Sequence, residues 1–542
     1  MPNIIVRDLS FSYAERHSDL FNNLSFTLSS TWRCALVGRN GRGKTTLLRL
    51  LDGQLVPQAG QIDLPLASLM FPGRANHAAL SRDAAKTAAG PYGALEAQIR
   101  KLSQRTDTSS LDQLNDTLEH YEAIEGYEID AAIERELQAL HVDGLRPMAQ
   151  LSSGEQTRVL LAGLFARKQV FPLIDEPTNH LDRAGRKLVA RYLAAKSGYL
   201  LVSHDRDFID QCCDHVMGLN RVDTRIIQGN YSEYRRELDR DNERELRTNV
   251  RLKKDIRRLK QAAGERRSGA LAREREKGAH TDRGYIGHKA AKQMQRALNI
   301  ERRKTRAVAQ TEGLLQNLDK VRALKLTSTG RKVGTTLCQV NNLGFGFGDT
   351  QIARDISFEL QVGERILVSG PNGAGKSCLL KTLMGRIKPI SGNVRWSPGV
   401  TWQRLCQQPD APFTPPTDWH LFRQVLGVLG VSGDVIEATQ ASNTQLFQTA
   451  DKATHRSEKH AQNTSLSEGQ LKKIELAYSF LQPVDLLIWD EPLNFIDLET
   501  REQLLALILQ TQPTMLLVEH DTFFTKRCTT RELSLVADHA AT

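Results

Sequence analysis

At 542 residues the chain exceeds the roughly 250–300 at which one hydrophobic core stops growing, which excludes a single small module and leads us to expect two or three domains. Its 40% hydrophobic and 25% charged residues exclude a disordered or fibrous chain, and no run reaches the about 18 apolar residues of a membrane-spanning helix. Net charge is +10, and the seven cysteines are scattered without a CxxC pair, which argues against a disulfide framework or zinc site and for reduced, buried side chains. The N-terminus lacks a basic segment followed by an apolar run, so a cytoplasmic protein is expected.

In chain order, a short apolar run (CALV, 34–37) leads into GRNGRGKTT (38–46) and the helical pattern TLLRLL. LEAQIRKL and LDQLNDTLEHYEAI, within 74–132, carry helical spacing, and LSSGEQ (151–156) follows. FPLIDEPTNHLD (171–182) reads as a buried strand ending in acids; Pro172 cannot donate to a ladder, so this strand is expected to begin at Leu173. VSHD (202–205) closes the series.

Between Arg235 and Arg322 stand 26 Lys/Arg against 13 Asp/Glu, a net of +13 that holds all of the chain's excess positive charge. Leu252, Ile256, Leu259 and Ala263 form an apolar seam, and a weaker one runs through Met294, Leu298, Leu314, Leu318 and Val321. Glycines 264, 269, 278, 284 and 287 separate them, which predicts two antiparallel helices with a tip near 264–289. After this segment the series recurs as ILVS (366–369), GPNGAGKSC (370–378), LSEGQ (466–470), LLIWDEPLNFID (486–497) and VEHD (518–521).

The loop lysines stand 332 residues apart, the LSxG glycines and DEP glutamates 315, and the histidines 316. The chain is therefore a tandem duplication, with 17 additional residues in the first copy that we place as a helical arm somewhere in 74–132. The expected domains are 1–235, a basic helical linker 236–325, and 326–542. Strands alternating with helices predict an α/β fold in each copy, with a mostly parallel sheet and ligand at the strands' carboxyl ends.

The chemistry follows from the repeated residues. Gly38, Arg39, Asn40, Gly41, Arg42 and Gly43 form a glycine-rich loop that presents backbone N–H groups to phosphates, Lys44 reaches the β- and γ-phosphates, Thr45 suits Mg²⁺, and Thr46 continues the helix. Gly370, Pro371, Asn372, Gly373, Ala374, Gly375, Lys376, Ser377 and Cys378 repeat the arrangement. Asp175 and Asp490 suit the Mg²⁺ shell, while Glu176 and Glu491 are placed to activate water against the γ-phosphate. His204 and His520 stand at strand ends that point toward that phosphate.

This ordered series resembles the ABC ATPase family over both copies, about four-fifths of the chain. The resemblance implies ATP and Mg²⁺ as cofactors and two domains of one monomer closing head to tail. Ser152, Ser153 and Gly154 would then complete the ATP site of Lys376, and Ser467, Glu468 and Gly469 that of Lys44. Tyr13 and Phe347 correspond to the aromatic that stacks on adenine, and Gln407 to the glutamine of the Mg²⁺ shell. The first copy reads SLMFPGRAN at the glutamine's place and has none, a departure from the family pattern at that site.

Two such domains without membrane segments, a charged helical pair between them and GNYSEY (229–234) at its start resemble the ABC-F subfamily. DRGYIGHKAAKQMQR (282–296), FPLIDEPTNHLD and IWDEPLNFID are similar to its antibiotic-resistance branch. The resemblance implies a ribosome partner, through ribosomal RNA and tRNA, with the linker near the peptidyl-transfer and tRNA exit region and no membrane partner. Independently of family, Arg266, Arg267, Arg273, Arg275, Lys277, Arg283, Lys289 and Lys292 offer cations for phosphates, with His280, Tyr285 and His288 available to stack on unpaired bases. The rival readings are a coiled coil that merely spaces the domains, the ATP-binding subunit of a membrane transporter, and a DNA-maintenance ABC ATPase.

Overall fold

The computed structural model describes residues 3–13, 19–72, 78–105, 107–179, 181–219, 224–241, 244, 331–347, 350–405, 418–431, 433, 435 and 468–535. The expected linker tip with its cations and aromatics, Gln407 and Ser467 lie outside these residues. Chain contacts divide the molecule into one unit of Met1–Tyr231 with Ala323–Thr542 and a second of Ser232–Arg322. The described start of the second unit, 232–241, is helical.

The first copy opens with β1 (Asn3–Phe11), β2 (Phe21–Ser29) and β3 (Arg33–Val37), followed by α1 (Lys44–Leu51), β4 (Ala59–Asp63) and β5 (Ala67–Phe71). Helices α2 (Ser81–Ala89), α3 (Tyr92–Leu102), α4 (Thr108–Ala123), α5 (Ile129–Ala139) and α6 (Ser153–Ala166) come next. The copy ends with β6 (Val170–Asp175), α7 (Arg183–Ala194), β7 (Tyr199–Val202), α8 (Arg206–Cys212), β8 (His215–Leu219) and β9 (Thr224–Gln228). The main sheet has the order β5-β6-β7-β3-β8-β9 and is parallel except for the β8–β9 pair.

The second copy runs β10 (Thr336–Phe347), β11 (Thr350–Gln361), β12 (Arg365–Ser369), α9 (Lys376–Leu383), β13 (Ser391–Trp396), β14 (Trp402–Leu405), α10 (Trp419–Val428) and α11 (Glu468–Leu481). It closes with β15 (Leu486–Asp490), α12 (Leu498–Thr511), β16 (Met515–Val518), α13 (Thr522–Cys528) and β17 (Arg531–Ser534). Its main sheet, β14-β15-β16-β12-β17, is parallel throughout and repeats the first in order. In both copies the strand before the phosphate loop is flanked on one side by the strand that precedes the histidine, and the acid-tipped strand comes next. The carboxyl ends of three neighbouring strands therefore deliver loop, acids and histidine to one edge of the sheet.

Each copy also carries a three-stranded antiparallel sheet, β2-β1-β4 and β11-β10-β13, that the motif-bearing strands did not announce. Its inner face is apolar: Ile4, Leu9 and Phe26 join Leu36, Leu47, Leu48, Leu173 and Leu200 in one core, so α1 is packed between the two sheets. That core fixes the helix whose first turn carries Lys44. The second copy repeats it with Val340, Leu343, Val368, Leu379, Leu380 and Ile488.

One expectation needs correction. The acid-tipped strand of the first copy begins at Val170, not Leu173, and Pro172 sits inside it opposite Leu69. Pairing with β7 starts only at Leu173, so the proline precedes that ladder and its missing N–H costs the ladder nothing. Within 74–132, α3 and α4 form an antiparallel pair closed by Tyr121 Oη donating to Glu96 (2.6 Å), Gln98 to Thr117 Oγ1 (3.3 Å) and Tyr92 Oη to the Ile124 carbonyl (3.0 Å). Six of the seven cysteines are described; all six are buried and none is in a disulfide.

Candidate functional site

The two phosphate loops are near copies. Gly43 and Gly375 cap α1 and α9 in the left-handed region, with φ of 91° and 84°. A Cβ on Gly43 would come within 2.7 Å of Phe21 Cζ and one on Gly375 within 2.7 Å of Ile352 Cγ2, so both backbone conformation and space demand glycine there. Lys44 Nζ donates to the Gly38 and Arg39 carbonyls (2.7 and 3.3 Å), and Lys376 Nζ to those of Gly370 and Pro371 (both 2.9 Å). Each lysine is thereby held over the mouth of its own loop. Thr45 Oγ1 donates to Asp175 Oδ2 at 2.7 Å, and Ser377 hydrogen-bonds Asp490 in the second copy. Tyr13 Oη lies 3.0 Å from Thr46 Oγ1, beside the loop, and Phe347 closes β10.

The acids share an unusual backbone. Glu176 and Glu491 have φ of 50° and 51°, a region that costs a non-glycine residue roughly 1–3 kcal/mol and persists where surrounding structure imposes it. Their N–H groups donate to the Val202 and Val518 carbonyls at 2.9 Å, which anchors each acid to the neighbouring histidine-bearing strand. Glu176 Oε2 accepts from the His204 N–H (3.3 Å), and Glu491 Oε2 from Asn494 Nδ2 (2.8 Å). The histidine rings stand close by, with His204 Nε2 3.4 Å from Glu176 Oε1 and His520 Nε2 3.7 Å from Glu491 Oε1. Among the described residues, Glu176 Oε1, Asp490 Oδ1 and His520 Nε2 are buried with no hydrogen-bond partner.

Burial dominates the electrostatics. It pushes Asp175 and Asp490 up from their ordinary range and Lys44 and Lys376 down. Glu176 is pushed up to about 8, by burial first and by Asp175 second, against the pull of Lys44 and Arg501. His520 is pushed down to about 4 by burial, then by Lys376 and Arg186, and His204 is lowered in the same way by burial, Lys44 and Arg501. Desolvated carboxylates next to orphaned oxygens favour a bound cation, and a desolvated lysine over an amide-rich loop favours a bound anion. This donor set fits Mg²⁺ with a polyphosphate.

The raised Glu176 value has a measurable consequence. A carboxyl near 4.5 in the unfolded chain and near 8 in the folded one penalises folding increasingly as pH rises between those values, because the folded state disfavours the anion. Nucleotide-free Glu176→Gln protein is therefore expected to melt above wild type by a margin that widens from about pH 5 to pH 8. A margin constant across that range in thermal melts would contradict the shift.

The first loop also meets the second copy. Asn40 donates its N–H to Asp497 Oδ2 (3.2 Å) and its Nδ2 to the Phe495 carbonyl (2.7 Å). Arg39 forms a two-pronged pair with Glu499 at 2.5 and 2.6 Å, and Lys473 Nζ reaches Asp497 Oδ2 at 2.9 Å. Gly469, in the second-copy LSEGQ, packs so closely that a Cβ would lie 2.8 Å from Asn40 Nδ2 and 2.9 Å from the Phe495 carbonyl oxygen. The first-copy LSSGEQ starts α6, where exposed Ser152 accepts through Oγ from the Glu155 N–H (3.3 Å) and the Glu155 carboxylate accepts from the Ser152 N–H (2.9 Å), with Ser153 and Gly154 in the first turn. From that copy, Asp182 is the residue whose charge reaches both Lys376 and His520.

Asp182, Asp497, Lys473, Asn494 and Arg501 were not singled out in the sequence. The two aspartates stand at the same place in both copies, six residues after the DEP glutamate, and the repeat alone was signal enough to find them.

The ABC transporter family profile matches residues 21–179 and 353–494, more than half of the chain, and spans both phosphate loops and both acid-tipped strands. The chain belongs to the ABC ATPase family. This ABC ATPase is 27% identical to the energy-dependent translational throttle protein EttA of Mycobacterium tuberculosis, over 93% of the chain and 87% of that protein. It is 26% identical to the ribosome protection protein VmlR of Bacillus subtilis, over 98% of the chain and 86% of that protein. Archaeal ribosome recycling factor aABCE1, solved with the stalk protein aP1, matches at a TM-score of 0.52 and 20% identity, over 97% of this chain and 87% of that one, which shows a shared fold. The relatives of this chain also include ABC transporter F family member 5 of Arabidopsis thaliana, 27% identical over 93% of the chain and 71% of that protein, so its homologues include ABC-F proteins. Among the described residues no helix is long and apolar enough to cross a membrane.

Proposed function

We propose that this ABC ATPase hydrolyses ATP at two composite sites and uses the cycle to bind and leave the ribosome, with its basic linker acting near the peptidyl-transfer and tRNA exit region. In this reading Gly469 and its neighbours complete the Lys44 site, and Ser152, Ser153 and Gly154 the Lys376 site. The packing of Gly469 on Asn40 supports the first of these. The Glu176 carboxyl, raised to about 8 in the nucleotide-free protein, would be drawn back toward its ionised form by Mg²⁺ held beside Asp175. In that form Glu176 Oε1, like the Glu491 carboxylate, takes the proton from the attacking water, while His204 and His520, held neutral by burial, orient toward the γ-phosphate. Thr45 with Asp175, and Ser377 with Asp490 and Gln407, would hold Mg²⁺. When bound, the metal would neutralise charge on the β- and γ-phosphates.

The observation that carries the ribosomal assignment is the +13 segment between two ATPase domains, in a chain whose full-length relatives include a translational throttle and a ribosome protection protein. Whether the role is antibiotic resistance or general translation is a matter for the tip. Replacing 264–289 with a short glycine turn is expected to leave ATP hydrolysis of the isolated protein unchanged and to abolish its effect on translation or on antibiotic susceptibility. A tip-less protein as effective on ribosomes as the intact one would make the linker a spacer.

A further inference from the structure

We infer that the cavity beside His520 is an exit chamber for the inorganic phosphate made at the Lys376 site, and that its counterpart on the Lys44 side is plugged by the chain itself. The inference rests on the hydrolysis proposed above. The two places are related by the duplication. One is a cavity of about 170 Å³ whose lining includes Arg183, Arg186, Lys187, Asp207, His520 and Lys526. The other, bounded by Arg206, Arg501, Glu502 and Phe523, keeps only about 10 Å³. The offsets of 315 and 316 residues match Arg186 with Arg501, Lys187 with Glu502, Asp207 with Phe523 and Thr522 with Arg206.

The exchanged pairs explain the difference. Arg206 of the first copy reaches into the second, stacks 4.0 Å over the Phe523 ring, and places Nη1 3.4 Å from Glu502. Arg527 stacks on the same ring at 3.8 Å. What space remains is no more than the roughly 10–15 Å³ one water needs. In the related place Thr522 is too short to span the gap, Lys187 stands where Glu502 would neutralise a guanidinium, and Asp207 replaces the aromatic ring.

The open chamber suits a small oxyanion. Arg183, Arg186, Lys187 and Lys526 outnumber Asp205 and Asp207, and Arg186 already pairs with Asp205 at 2.9 Å, so the excess is positive. Its volume holds several waters or one tetrahedral oxyanion but falls short of the about 300 Å³ or more of a drug-sized ligand pocket. His520 is one of its lining residues, and the Nε2 of that ring is buried, has no hydrogen-bond partner among the described residues and lies 3.7 Å from Glu491. His520 is thus shared by the chamber and the Lys376 site, so phosphate cleaved there is formed beside a chamber residue and is drawn outward by the cations. The mate chamber does not extend to His204. The Lys376 site can therefore lose phosphate while the domains stay closed, and the Lys44 site only when they open.

Full-length protein with a fluorescent phosphate sensor in stopped flow tests this, read beside chemical-quench cleavage. Glu176→Gln isolates the Lys376 site and Glu491→Gln the Lys44 site, and release is expected to lag cleavage by on the order of tenfold more at the Lys44 site. Filling the chamber with the mate's residues, Lys187→Glu, Asp207→Phe and Thr522→Arg, should slow release from the Lys376 site by about tenfold while cleavage in a single turnover is unchanged. Lys187→Glu alone, a surface change that spares the fold, should slow it less and in the same direction. Unchanged release with normal cleavage in the filled variant would overturn the inference. Absence of cleavage in Glu176→Gln protein would instead refute the two-site reading, and phosphate titration of the nucleotide-free protein would then decide. One phosphate site fewer in Lys187→Glu/Lys526→Glu than in wild type supports the chamber, and equal stoichiometry overturns it. Phosphate that binds from solution without any effect of filling on release marks an anion site that is not an exit, which also overturns the assignment.

Discussion

Protein carrying both Glu176→Gln and Glu491→Gln is expected to hydrolyse ATP about 10²–10⁴ times more slowly than wild type while binding ATP as well. The amide keeps the shape of the carboxylate but cannot take a proton from water. Each acid is held by a main-chain bond to the adjacent strand and by a left-handed backbone that glutamine adopts as readily as glutamate, so the change is confined to proton acceptance. Steady-state phosphate production measures the loss, and nucleotide titration measures the retained affinity. Hydrolysis near the wild-type rate in the double variant would remove both residues from the reaction.

The second large effect is expected across the copies. Gly469→Asp introduces side-chain atoms where a Cβ alone would already lie 2.8 Å from Asn40 Nδ2 and 2.9 Å from a main-chain oxygen, and it adds a carboxylate near Asp497. The α11 start must then retreat from the first loop, although Lys44, Thr45, Asp175 and Glu176 are untouched. A misplacement of about 1 Å is enough to cost roughly 10²-fold in rate, so hydrolysis at the Lys44 site should fall by at least that factor. Nucleotide trapping resolved by site reads the result. Loss at the Lys376 site with the Lys44 site intact would reverse the pairing of motifs and refute the head-to-tail arrangement.

Most of the candidate site could be picked out in the sequence because the proposed roles toward phosphate, Mg²⁺ and water each demand particular residue types at fixed spacing, and the duplication displayed them twice. The parallel order of the two main sheets followed from the same alternation of strands and helices. Elements without such chemistry were harder to read. The antiparallel sheets rest on bulged strands: Asp8 in β1 and Asn342 in β10 take positive φ, which breaks the period of two that would otherwise mark those strands. Pro172 was misjudged because a proline's cost depends on which neighbour its missing N–H would have faced, a property of the register. The contrast between Arg206 and Thr522 carries no signal in the chain alone, since its meaning comes from α8 packing beside α13.

Co-sedimentation with ribosomes bears most directly on the central claim that ATP-closed protein binds the ribosome through its basic segment. With ATP, the Glu176→Gln/Glu491→Gln protein is expected to pellet with ribosomes and to stall translation, because it closes but cannot reset. Pelleting should weaken steeply with added salt, as binding driven by counterion release does, by about one power of salt concentration for each phosphate neutralised. Failure of the doubly substituted protein to pellet with ribosomes in any nucleotide state and at any salt would contradict the account and return the transporter and DNA-maintenance readings to the front.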